Sequence, residues 1–155
     1  MDDIYFITNR QLHLLSNDIF DFDLEKNDPI MEVFFGRRSS KGKYHLFSSD
    51  DFISVIQKKR LKNILFYIHG FSNLPEDGIF QKTEILNRLF HDNQSSTLVI
   101  PIIWPCDNDI GIIKDYWDDR YSAAVSGYSF ARALLKFMRH QRTHSFTCYT
   151  HLNIM

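Results

Sequence analysis

Cysteine and proline are scarce in this 155-residue chain, with two cysteines and four prolines. Cys106 and Cys148 are too few for a disulfide framework, and their spacing suits no metal or redox motif. No apolar run approaches the roughly 18 to 20 residues of a membrane span. The start, Met1-Asp2-Asp3, is acidic where a signal peptide needs basic residues, so a cytoplasmic protein is expected. Charge of either sign is also lacking in excess: the formal net charge is -1, the isoelectric point is near 6.6, and the basic residues are scattered except near the C-terminus. Nucleic acid and membrane are therefore excluded as expected partners. No motif calls for a cofactor. What the chain does have is 44% hydrophobic and 15% aromatic residues against 24% charged, the profile of a well-packed globular domain. No repeat, low-complexity tract or linker divides it.

The segment Ile4-Tyr5-Phe6-Ile7-Thr8 is β-branched and aromatic and ends at Asn9, as a strand before a turn does. Residues 11 to 30 mix short apolar groups with Asp and Asn and stop at Pro29, which predicts a loop with one helical turn. Met31 to Phe35 and Lys43 to Phe47 flank a polar, glycine-bounded stretch and predict a hairpin or two strands joined by an exposed loop. Ser49-Asp50-Asp51 offers a cap for a helix with Phe52, Val55 and Ile56 on one face. Asn63 to Ile68 and Thr97 to Trp104 are continuous apolar runs, as parallel strands covered on both faces require. Between them Pro75-Glu76-Asp77 opens a helix carrying Ile79, Leu86 and Phe90, so the unit is a right-handed β-α-β crossover.

Gly127-Tyr128-Ser129-Phe130-Ala131 is one residue short of the G-x-S-x-G pentapeptide of nucleophilic serines. Around it Tyr121, Ala124, Tyr128, Ala131, Leu135 and Met138 recur at helical spacing, an amphipathic stripe expected to pack on the sheet. A nucleophile elbow needs a buried strand running into a strained turn, and no such strand precedes Ser129. Ser129 therefore reads as a helix residue first and a nucleophile second.

The stretch NILFYIHGFSN, followed by a helix and then STLVIPIIWPCDNDIGIIKDYWDDRYSAAVSGYSFARALLKF, resembles an uncharacterised, mostly bacterial branch of the α/β-hydrolase superfamily. The opening IYFITNR resembles that branch's first strand, so the likeness covers most of residues 4 to 138. It implies an α/β fold with a partial hydrolase-like sheet: central strands parallel, N-terminal strands antiparallel, helices on both faces. It also implies that His69, Gly70 and Phe71 form an oxyanion loop, with the Phe71 N–H as donor. Beside this stands the plainer reading that His69-Gly70 ends a strand, with the imidazole bonded to backbone. Trp104 and Pro105 are expected to end the next strand and pack at the rim.

The resemblance further implies a nucleophile on a strand after the long helix, then an acid and a His. After Met138 only RHQRTHSFTCYTHLNIM remains, in which no Ser has the small neighbours of an elbow, so all three triad members are expected to be missing. One nucleotide out of frame, His144 to Cys148 can read Ile-His-Leu-Leu-Ala, as in the family's strand, and residues 139–155 are expected to be a disordered or non-native tail on a single partial domain spanning 1–155. His140, His144, Cys148 and His151 include i, i+4 spacings, but a supporting scaffold is lacking and no metal site is expected.

Three functions compete on this reading. The first is the N-terminal portion of an α/β-hydrolase, inactive as it stands, whose full-length form would take a small ester or amide. The second is an interaction module that self-associates through an exposed strand edge. The third is a serine hydrolase using Ser129, His69 and one of Asp115, Asp118 or Asp119. In that third case the helix places Ser129 roughly 12 to 15 Å from the strand rim.

Overall fold

A computed structural model describes residues 3–59, 61–106, 114–141 and 147–152, with side chains for 3–59, 61–106 and 120–140. One mixed sheet organises them, in the order β2-β3-β5-β4-β1-β7-β6-β8. The strands are β1 (Ile4–Thr8), β2 (Leu12–Leu14), β3 (Ile19–Phe22), β4 (Phe34–Arg38), β5 (Tyr44–Phe47), β6 (Asn63–Ile68), β7 (Thr97–Ile103) and β8 (Thr147–Leu152). Strands β1 to β5 pair antiparallel, whereas β1, β7, β6 and β8 run parallel. This is the expected α/β class, with helices on both faces.

The second and third strands correct the sequence reading of residues 11 to 30. Leu12 pairs with Phe22 and Leu14 with Phe20, so alternate residues carry the apolar groups across a hairpin. The short alternation was hidden among Asp and Asn. Helix α1 (Ser49–Lys58) starts one residue later than its cap: the Ser48 hydroxyl accepts from the Asp51 N–H at 3.1 Å. A π-helical turn, Pro75–Phe80, leads into α2 (Gln81–Asp92) and completes the crossover between β6 and β7.

Two cores flank the sheet. On one face Phe6, Phe20, Tyr44, Ile79, Phe80 and Val99 pack under α2. On the other, Phe52, Ile56, Phe66, Ile100, Phe130 and Phe137 join α1 and α3 (Lys114–Gln141) to the sheet. The face that α3 buries is not the predicted stripe. Ser122, Ser126, Ser129, Phe130, Ala133 and Phe137 are buried, whereas Tyr121, Tyr128, Leu135 and Met138 are half or more exposed. Small serines with backbone or amide partners let the helix lie close to the sheet, and Phe137 then wedges edge-on between Phe52 and Phe66.

Of residues 139–155, expected as a disordered or non-native tail, the structure describes 139–141 and 147–152. The last helix runs to Gln141, and Thr147–Leu152 forms β8, in register with β6 from Asn63↔Thr147 to Ile68↔Leu152. Thr147, Tyr149 and Thr150 favour extended backbone, and β6 offers an open edge for them to pair with.

Candidate functional site

Because β1, β7, β6 and β8 are parallel, their carboxyl ends share one rim. Thr8 is level with Ile103, and Ile68 with both Ile102 and Leu152. Each of the first three strands ends there in polar or aromatic residues: Asn9-Arg10, Trp104-Pro105-Cys106 and His69-Gly70-Phe71. In open α/β sheets this rim is where ligands bind.

His69 is buried and held on every side. Its Nε2 accepts the Trp104 backbone N–H at 3.2 Å, and the Trp104 indole N–H donates back to the His69 carbonyl at 3.0 Å. The two rings stack at 5.2 Å and 5°. With Nε2 accepting, the proton sits on Nδ1, which lies 2.8 Å from the Gly70 carbonyl and donates to it. Burial drives the imidazole pKa from 6.5 down to about 4, and the Arg10 and Lys82 charges push the same way. The ring is a neutral clamp between β6 and β7. Both its nitrogens are engaged, so it has no lone pair to offer a serine.

The loop after His69 is drawn tight by Asn73, whose side-chain amide donates to the carbonyls of Gly70 at 3.2 Å and Phe71 at 2.6 Å. Lys82 donates to Asn73 Oδ1 at 3.0 Å. A Cβ on Gly78 would stand 2.9 Å from that same Oδ1, which is why the turn into α2 has glycine there. Ser72 takes φ 53, a left-handed conformation that a serine adopts only when its surroundings fix it. The Gly70 carbonyl is aimed at His69 and Asn73. In a trans peptide the N–H points the opposite way, so the Phe71 amide faces away from the clamp.

Arg10 is the rim residue that sequence reasoning passed over. It is fully buried, with Nη1 donating to the Cys106 carbonyl at 2.9 Å and Nη2 to Asn27 Oδ1 at 2.8 Å. It ties the end of β1 to the loop that follows β7. The signal was available as Thr-Asn-Arg closing an otherwise apolar strand. Asn9 beside it donates to Ser126 Oγ at 2.9 Å and to the Ile30 carbonyl at 3.2 Å, anchoring α3 to the rim. The Cys106 thiol is buried, donating to the Asn73 carbonyl at 3.3 Å.

Ser129 lies elsewhere. It is fully buried on α3, and its hydroxyl donates to the Met31 carbonyl at 3.3 Å, an acceptor shared with Arg132 at 2.7 Å. The structure does not bring it to His69. The side chains of Asp115, Asp118 and Asp119 fall outside the described residues, as do those of His144, Cys148 and His151. Trp104 and Pro105 are buried directly after β7. Among the described residues no three His, Cys, Asp or Glu side chains group as metal ligands, and no helix is long and apolar enough to cross a membrane.

Between the rim and α3 opens a cavity of about 420 Å³, within the range of small-molecule sites. His69, Gly70, Phe71 and Trp104 form its rim end, and Ala123, Gly127, Phe130, Ala131 and Leu134 line its helix wall. The family model described as "Alpha/beta hydrolase of unknown function (DUF900)" matches residues 45–152, from β5 through β8. No curated protein and no solved structure matches the chain.

Proposed function

The chain belongs to this family of alpha/beta hydrolases of unknown function, and from that premise we propose that its rim is the oxyanion-loop share of an ester- or amide-hydrolysing site. The observation that carries the reading is the orientation of the 70–71 peptide. His69 and Asn73 hold the Gly70 carbonyl, which aims the Phe71 N–H toward the opposite side, where an oxyanion could be met. His69 positions this loop and does not act as a base. The carboxyl end of β8 lies level with Ile68, one residue before the loop, which is where a strand bearing a nucleophile would deliver it. The chain itself carries no elbow serine and is inert as a hydrolase, because Ser129 is spent on Met31.

Two measurements test this. Incubated with p-nitrophenyl butyrate or a fluorophosphonate probe, the chain gives no hydrolysis and no label; labelling that disappears in Ser129→Ala overturns its inertness. A chain lengthened past Leu152 with an elbow sequence, an acid and a base gains labelling of the introduced serine. Phe71→Pro, which removes the amide proton, then lowers the labelling rate about a hundredfold. A rate indifferent to Phe71→Pro removes the oxyanion role.

A second reading, association between copies, is favoured by the apolar stripe that α3 leaves outward, with Tyr128 76% exposed. Light scattering across a concentration series separates it from the first.

A further inference from the structure

We infer that the cavity under the rim binds an apolar acyl chain, which makes the substrate class a medium-chain acyl ester or amide. The inference rests on the oxyanion-loop reading for the position of the carbonyl, and on the cavity alone for the character of the chain.

Three small residues open the helix wall of the cavity. Ala123, Gly127 and Ala131 stand one helical turn apart on the side of α3 that faces it, and a Cβ built on Gly127 meets nothing within 4 Å. From Ala123 near the rim to Leu134 is a helix length of roughly 16 Å at 1.5 Å per residue. A lining that extends that far along one helix face suits an extended chain better than a compact ring system.

Its walls are apolar by chemistry as well as by composition. Among the described residues the polar side chains lining it are Ser126, His69 and Trp104, whose indole N–H donates to the His69 carbonyl. The Ser126 hydroxyl accepts from Asn9 Nδ2 at 2.9 Å and donates to Asn9 Oδ1 at 3.2 Å. Both His69 nitrogens are bonded to backbone. A ligand group inside the trough thus finds its polar neighbours already paired, so a polar group placed there would lose its water without return. An alkyl chain loses nothing and gains burial. At the rim end the trough meets the Gly70-Phe71 turn, so a chain lying in it would present its carbonyl carbon to the turn whose amide points away from the His69 clamp. Rings at that end, Phe71 and Trp104 edge to face at 5.6 Å, form an apolar collar for the first methylenes.

The test needs no catalysis. Butyrate, hexanoate, octanoate and decanoate are titrated into the purified chain by calorimetry, with sodium acetate as the ionic control. One molecule binds per chain, and affinity climbs by about fourfold per methylene from butyrate to decanoate. Gly127→Leu and, separately, Ala131→Leu project a side chain into the trough and weaken decanoate at least tenfold. Neither disturbs folding, since each places a good helix former on an exposed helix position, and an unchanged or raised thermal midpoint verifies this. Three results overturn the inference: no saturable decanoate binding, affinity indifferent to chain length, or binding that both leucine variants leave intact. A dimer that light scattering detects in the wild type and that Gly127→Leu abolishes overturns it too, because the trough then holds a second copy. Acyl binding without labelling of the lengthened chain would instead fault the oxyanion role and leave the trough standing.

Discussion

At the scale of single residues the rim is governed by groups whose protons are fixed. His69 is the clearest. In the unfolded chain its imidazole gains a proton near pH 6.5, but in the fold only at about 4, because burial, with the Arg10 and Lys82 charges pushing the same way, keeps it neutral against the opposing pull of the Gly70 bond. Between those values the unfolded state binds more protons, so stability is complete above about 6.5 and falls as the pH drops toward 4. The loss is about 3 kcal/mol over the window. His69→Phe keeps the stack on Trp104 but orphans the Trp104 N–H, costing about 1 to 3 kcal/mol at pH 7. It should also flatten the dependence between pH 6.5 and 4, read as the urea midpoint at a series of pH values. A variant with the wild-type acid slope would mean that the imidazole titrates freely. The sequence left the His69 question open because the dipeptide His-Gly is the same in a clamp and in a catalytic pair. Only the Trp104 contact across 35 residues separates them.

At the scale of elements, the strands with continuous or alternating apolar patterns were legible, and helix α3 was legible as a helix but not in its facing. Its two candidate stripes differ in kind. Tyr121, Tyr128, Leu135 and Met138 are large and apolar, whereas the buried face is built of Ser122, Ser126 and Ser129 with Phe130, Ala133 and Phe137. A count of apolar residues scores the serines as solvent-facing. Their burial depends on acceptors that arrive from Asn9 and Met31, over 90 residues away in the chain. Phe130 and Phe137, two turns apart, were the visible hint. The two assignments predict opposite mutational orders. Phe137→Ala removes a ring that fills the space between Phe52 and Phe66 and should cost about 3 to 5 kcal/mol. Met138→Ala and Tyr128→Ala should stay within about 0.5 kcal/mol. Chemical denaturation of the three variants decides between them, and a reversed order would restore the predicted facing. The strand β8 was missed for a related reason. Thr-Cys-Tyr-Thr-His-Leu has no apolar run, and its pairing comes from the open edge of β6 more than from its own pattern.

At the scale of the whole molecule, the described elements leave apolar surface and strand edges uncovered. The sheet ends in β2 on one side and β8 on the other, and α3 turns Tyr121, Tyr128, Leu135 and Met138 outward beside the trough. Apolar residues gathered along one helix face, with a net charge of only -1 to keep copies apart, favour association. The outward stripe and the trough meet along α3 at Gly127 and Ala131 but differ in shape: the stripe is a ridge of large side chains and the trough a furrow of small ones. Association through the ridge should therefore be separable from ligand binding in the furrow. Light scattering over a hundredfold concentration range should give a mass that rises for the wild type. In the double variant Tyr128→Lys, Leu135→Lys the mass should remain that of one chain, because two ammonium groups on the ridge of each copy must be desolvated and opposed for the faces to meet. The substitutions lie on solvent-facing positions, so the urea midpoint should not move by more than the equivalent of about 0.5 kcal/mol. Decanoate affinity should also persist in the double variant. A wild-type mass that stays at one chain throughout, with a single cooperative unfolding transition, would show that the ridge tolerates water unaided. A mass that rises equally in the double variant would move the contact from the ridge to the edge of β2 or β8, where backbone groups of an edge strand remain open to pairing.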